Sequence, residues 1–255
     1  MRHFIKLSYK GTAYHGWQVQ KNAGSVQELV NKALTTILRE PVETLGCGRT
    51  DTGVHARQLY AHFDTATAFD TDKLIISLNR LLPRDIAVQD IYRVHETAHA
   101  RFDAISRSYA YHISFQKDPF LTDFAWQIRV MPDYAVMNEA CRILMEHADF
   151  SCFSKSHTQV KTNICKITRA CWTEQSDQLV FEITADRFLR NMVRAIVGTM
   201  LQLGKNELSL EQFVAILESK NRSMAGMSVP AEGLYLCNIE YPYALSRPPD
   251  QTLTR

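Results

Sequence analysis

The sequence predicts an α+β fold made of two ferredoxin-like (split βαβ) halves, their strands joined into a mostly antiparallel sheet with a central cleft. Three observations carry this expectation. The first half reads strand, helix, strand, strand, helix, strand, and the second half repeats that order after about 105 residues, as a likeness of element order rather than of residues. The 255 residues, 45% hydrophobic and 22% charged, are enough to close a globular core.

The elements follow from periodicity and end signals. In His3 to Tyr9, Ile5, Leu7 and Tyr9 alternate with Lys6 and Ser8, as in a strand. Ser25-Val-Gln-Glu28 has the form of a capping box, and Val26, Leu29, Val30, Ala33, Leu34, Ile37 and Leu38 keep helical spacing behind it. A short strand near Val42 to Leu45, a glycine-rich loop and a strand from Leu59 to Asp64 come next. A helix over Thr71 to Leu82 stops at Pro83, and Ile86 to Val94 reads as a strand. In the second half, Arg107 to Phe115 alternates as a strand and Asp133 to Glu146 has helical spacing. Strands at Ile164 to Trp172 and Leu179 to Ala185 precede a helix over Arg187 to Leu203. A second capping box, Ser209-Leu-Glu-Gln212, starts the last helix, and Leu234 to Tyr241 closes as a strand. The expected halves are 1–104 and 105–241, followed by a loosely ordered tail over 242–255 that contains Pro248 and Pro249.

Composition narrows the function classes. A formal charge of +2 does not announce a polyanion binder, so any such site must be a local patch. The longest uncharged stretch after residue 190, Ala195 to Gly204, falls well short of the roughly 20 residues a membrane span needs. Arg2 and Lys6 interrupt the N-terminus where a signal peptide would be apolar, so a cytoplasmic protein is expected. The six cysteines, with no C-x-x-C pair, read as reduced thiols, most of them in the core.

Residues 46–57, Gly-Cys-Gly-Arg-Thr-Asp-Thr-Gly-Val-His-Ala-Arg, place three of the ten glycines within eight residues between two strands. One reading is a hairpin turn over Thr50 to Gly53 in which Asp51 bonds its own backbone. The other is a loop that holds Arg49 and Asp51 outward, with Asp51 as nucleophile or base once a cation balances its charge. Arg49 and the loop amides suit a phosphate equally well. A metal held by Asp51, His55 and His62 lacks the ligand spacing such sites use. For the cation, Arg187, Arg190 and Arg194 stand at i, i+3 and i+7, either as a solvated stripe or as a functional face. Arg194 sits among Met192, Val193, Ala195, Ile196 and Val197, and Gly198 in a helix interior implies that something approaches that face closely. Tyr109, at the start of its strand, is either core or a ring free to stack on a flat substrate. Ser151 to Thr173 carries Lys155, Lys161, Lys166 and Arg169 with no acid, either a solvated loop or a phosphate-binding patch.

From Phe4 to Tyr241 the chain resembles the A-type tRNA pseudouridine synthases. The most specific match is Gly48-Arg-Thr-Asp-Thr-Gly-Val-His-Ala56, similar to that family's catalytic-loop signature. Tyr14-His-Gly-Trp-Gln18, Ser25-Val-Gln-Glu28, Leu78 to Ala87, His99-Ala-Arg-Phe102, Arg107-Ser-Tyr-Ala-Tyr111, Phe188 to Arg194 and Glu232-Gly-Leu-Tyr-Leu236 support it. Lys10 departs from the usual aspartate. The resemblance implies the pseudouridine synthase fold and isomerisation of uridines 38, 39 and 40 in the anticodon arm of tRNA. It also implies a homodimer laying one tRNA across both subunits, with no cofactor and no metal. By the same resemblance Asp51 is the catalytic aspartate, Arg194 its ion-pair partner, Tyr109 the ring stacked on the uracil, and Arg49 the residue that holds the uridine flipped out.

Overall fold

The computed structural model describes residues 1–155 and 162–247. Two compact units emerge: residues 1–105 together with 238–255, and residues 106–237. Both are mixtures of helix and mostly antiparallel strand.

In the first unit, β1 (Arg2–Tyr9) runs antiparallel between β3 (His55–Asp64) and β4 (Ile86–Arg93), and the two-residue β2 (Leu45–Gly46) pairs with the far side of β3. The order β4-β1-β3-β2 is that of a ferredoxin-like half. Helices α1 (Val26–Leu38) and α2 (Thr71–Leu81) complete it. Helix α1 begins where expected, with Ser25 Oγ accepting the Glu28 N–H, and buries Val26, Val30, Ala33, Leu34 and Leu38. Each large aliphatic in that stripe contributes roughly 1.5–3 kcal/mol. The cross-strand pairs Ile5–Ala61 and Leu7–Leu59 are fully buried. Asn79 ties α2 to β4, donating to Val88 O and accepting the Val88 N–H (2.8 and 2.7 Å).

The second unit repeats the plan. Strand β5 (Ser106–Ser114) pairs with β8 (Gln178–Ala185), β8 with β7 (Ile167–Gln175), and β9 (Leu234–Glu240) begins here beside β5. A two-residue β6 (Trp126–Gln127) lies parallel to β5. The helices are α3 (Tyr134–Glu146), α4 (Met192–Gly204) and α5 (Leu210–Ser219), the last opened by the complete Ser209/Gln212 capping box. Trp172 fixes the core: it stacks on Phe181 (4.8 Å), its indole N–H points to Met200 Sδ, and Asn138 bonds both its backbone groups.

Several boundaries differ from the sequence reading, among them β2, which is Leu45–Gly46 rather than Val42 to Leu45. Strand β3 starts at His55 rather than Leu59, because a register shift after Leu7 brings Tyr9 opposite Ala56 and extends the ladder. Strand β7 begins at Ile167 rather than Ile164. Helix α4 starts at Met192 rather than Arg187, because Asn191 takes a left-handed conformation (φ 67°) that breaks helical continuity. All six cysteines are free thiols, and burial pushes those of Cys141 and Cys152 up to about 12. Of the tail 242–255, residues 248–255 lie outside the described residues. Tyr243 donates to Asp103 Oδ2 (2.7 Å), and Arg247 bonds Asp90 (2.6 Å) and Asp72 (2.7 Å).

Candidate active site

The glycine-rich loop is braced from behind by the segment that follows β1. Tyr9 Oη and Thr50 Oγ1 share a hydrogen bond of 2.8 Å, and the Gly53 N–H donates to Tyr14 O (3.2 Å). The backbone of Gly16 (φ 84°) lies so close that a Cβ there would stand 2.2 Å from Thr50 O. Gly11 approaches Val54 O in the same way, and its N–H donates to His55 Nδ1 (3.0 Å). Trp17 fills the space beside Gly46. Tyr14 donates to Asp85 Oδ1 (2.6 Å), and the Lys10 N–H donates to Asp85 O (2.9 Å). Lys10 therefore makes this contact through its backbone, which any side chain allows.

On this support the chain turns over Asp51 to Val54, closed by the Val54 N–H donating to Asp51 O (3.1 Å), with Gly53 supplying the positive φ of 78°. The turn is displaced by one residue from the expected Thr50 to Gly53. Thr50 and Val54 are buried, Asp51 is half-buried, and Arg49 and Thr52 are exposed. The loop thus anchors itself through Thr50 and Val54 and leaves Arg49 and Thr52 at the surface.

The histidines around this strand are committed to backbone contacts. His55 Nδ1 accepts the Gly11 N–H, and His62 Nδ1 accepts the Ala100 N–H (3.1 Å). Burial, then Arg2 and His99, lowers the His62 imidazole to about 4. Among the described residues no group of three His, Cys, Asp or Glu side chains is arranged to hold a metal.

In the second unit, Tyr109 on β5 is half-buried with its ring edge-on to Phe188 (5.1 Å), whereas Tyr111 and Ile113 are fully buried. Arg194 is the one arginine of the expected triad that lies on α4; Arg187 and Arg190 precede the helix. Its Nε donates to Val229 O (2.6 Å) and its backbone carbonyl accepts the Val229 N–H (3.3 Å). The close approach expected at Gly198 is made by the Met227 carbonyl, 1.8 Å from where a Cβ would be. Burial pushes the Tyr111 phenol up, with Arg194 opposing, and the hydroxyl donates to Pro230 O (2.8 Å).

In the acid-free segment, strand pairing supplies the acid that the local sequence lacks. Arg169 pairs with Glu182 of β8 at 2.7 Å; Lys155 and Lys166 are exposed, and Lys161 lies outside the described residues. Of the residues behind the loop, the sequence names Tyr9 only as a strand residue and Gly16 only within Tyr14-His-Gly-Trp-Gln18, and gives Gly11 no role. The pair of glycines five residues apart just after the first strand was the available signal.

Comparison with known proteins bears on the family. A family model described as tRNA pseudouridine synthase matches residues 140–242. A tRNA pseudouridine synthase A from Bacteroides fragilis is 52% identical over 243 residues, covering 94% of this chain and 96% of that protein. One from Bacteroides thetaiotaomicron is 51% identical over 244 residues, 94% and 91% of the two chains. One from Treponema denticola is 41% identical over 256 residues, 97% and 96%. With identity of that order running through both units, this chain belongs to the tRNA pseudouridine synthase A family, isomerases that act on uridine in tRNA.

Proposed function

We propose that this protein converts uridine to pseudouridine at positions 38, 39 and 40 of the tRNA anticodon arm, with Asp51 as nucleophile and no cofactor. The observation that carries the reading is the support behind Asp51: its loop is hydrogen-bonded by Tyr9 and Tyr14 and packed against Gly16, while Arg49 and Thr52 are exposed and Asp51 is half-buried.

The reaction is an isomerisation. A carboxylate oxygen of Asp51 bonds C1′ as the N1–C1′ bond breaks, and the uracil leaves with the electron pair. The base turns, C5 attacks C1′ and displaces the carboxylate. The C5 proton is then lost and N1 gains one, so substrate and product have the same composition. Arg194 is the cation that pairs with the Asp51 carboxylate. Tyr109 confines the uracil by stacking while it turns, and Arg49 occupies the space the flipped nucleotide leaves in the RNA. The half-exposed Tyr109 ring, steadied edge-on by Phe188, supports that assignment, as does the exposure of Arg49.

The enzyme is read as a cytoplasmic homodimer that lays one tRNA across both subunits. The exposed rings of Phe102 and Phe120 support a further macromolecular surface, and no helix among the described residues is long and apolar enough to cross a membrane.

Release of tritium from tRNA labelled at uracil C5 tests the reading. Wild type releases it at positions 38–40, and Asp51→Ala does not; release by Asp51→Ala at the wild-type rate refutes the role of Asp51. Sedimentation of the free protein and of its tRNA complex tests the dimer.

A further inference from the structure

The charge-balancing role given to Arg194 requires its guanidinium to be held in one orientation, and the structure shows a device that does this. We propose that Arg222 is a positioning residue for Arg194, acting through the 225–230 loop; the inference rests on the functional reading of Arg194 above.

The loop is bound to Arg222 on one side. The guanidinium donates to the carbonyls of Ala225 (3.3 Å) and Gly226 (3.1 Å) and to Ser228 Oγ (3.1 Å). Ser228 Oγ also accepts from Asn191 Nδ2, at the start of α4. On its other side the loop is stitched to the helix. The Gly226 N–H donates to the buried Thr199 Oγ1 (2.9 Å), Gly198 gives room for the Met227 carbonyl, and the Val229 N–H donates to the backbone of Arg194. Tyr111 holds the next carbonyl, that of Pro230.

The output of this arrangement is the Val229 carbonyl. It accepts Arg194 Nε at 2.6 Å, and because Nε and both terminal nitrogens are coplanar, one bond at Nε sets the plane of the whole fork. Arg222 closes the first half of the loop on itself through three bonds. Removing it strips the Ala225 and Gly226 carbonyls and Ser228 Oγ of that anchor and loosens the loop whose Val229 carbonyl aims Arg194. The two arginines thus act in series, Arg222 on the loop and the loop on Arg194.

Two measurements on the full chain test this. The first is the exchange rate of the Arg194 Nε–H, followed by proton–nitrogen NMR and assigned by its loss in Arg194→Lys. Arg222→Ala is expected to speed that exchange about tenfold or more, Ser228→Ala less, and Arg222→Lys to restore it in part. The second is turnover on tRNA. Arg222→Ala is expected to lower kcat about tenfold while KM stays within about twofold, and in an Arg194→Lys background to cost nothing more, as residues in series must. Unchanged Nε–H exchange in Arg222→Ala, or losses that add in the double variant, overturns the proposal. If Arg222→Ala does not fold, unchanged exchange in Ser228→Ala overturns it instead. Full turnover by Arg194→Lys would remove the catalytic role of Arg194, while the exchange measurement would still decide whether Arg222 positions it.

Discussion

Replacing Gly16 with alanine adds one methyl group 2.2 Å from Thr50 O, and ordinary contact begins at 3.4 Å. One of the two chain segments must therefore retreat by about 1.2 Å, and misplacement of about 1 Å at a reacting group can cost on the order of 100-fold in rate. Gly16 also has φ 84°, where an L-residue pays roughly 1–2 kcal/mol. For a protein of this size that corresponds to a fall in melting temperature of roughly 2–8 °C. The expected outcome is a kcat about 100-fold below wild type by tritium release under saturating tRNA, with a folded protein by circular dichroism. Gly24→Ala is the control, since nothing lies within 4 Å of its added Cβ. Wild-type turnover by Gly16→Ala, or an equal loss in Gly24→Ala, would refute the view that the segment after β1 sets the position of the turn that carries Asp51.

Other substitutions probe the second unit and the titrating groups. Gly198→Ala drives a methyl group into the Met227 carbonyl and is expected to destabilise by about 1–3 kcal/mol in urea unfolding. Arg194→Lys keeps the charge but cannot bond Val229 O and present a planar fork together, so kcat is expected to fall on the order of 100-fold with tRNA affinity largely kept. His3 and His62 are held near 4 in the fold by burial, with Arg93 and the N-terminus acting on His3, and Arg2, His99, Asp64 and Asp103 around His62. Their folded values lie below the unfolded one, so both are neutral above about pH 6.5. The unfolded chain alone takes up protons as pH falls from there towards 4, and stability declines over that window. Urea unfolding from pH 7.5 to 4.5 checks this, with His62→Gln expected to flatten the slope; an unchanged slope would show that His62 is not the source.

The elements with strong periodicity or a cap were legible in the sequence, and those whose ends depend on partners were not. Helix α1 begins at the Ser25 cap and α5 at the Ser209 box, because capping is a local matter of four residues. The start of α4 differs because Arg187 to Asn191 has helical spacing, while Asn191 takes a left-handed backbone and bonds Ser228, 37 residues away. Gly198 was legible as a close approach, but the Met227 carbonyl that makes it was not, since a single glycine names no partner. Asp51 and Arg49 stood out through the glycine density around them. Tyr9 reads as an ordinary strand aromatic and Tyr14 only as part of the Tyr14-His-Gly-Trp-Gln18 match, and neither motif names the loop it holds. The acid-free segment misled in one respect, because Glu182, which neutralises Arg169, comes from the neighbouring strand.

The unit that carries Asp51 is discontinuous: residues 238–255 belong with residues 1–105. Ile239 donates its N–H to Gln58 Oε1 (2.7 Å), Tyr241 its hydroxyl to Ala100 O (2.7 Å), and Arg247 grips Asp72 and Asp90. During synthesis the turn over Asp51 leaves the ribosome early, yet its own unit waits for the residues from 238 onward, after the whole of 106–237 has emerged. A chain that stops short of residue 238 thus carries Asp51 on an unfinished scaffold.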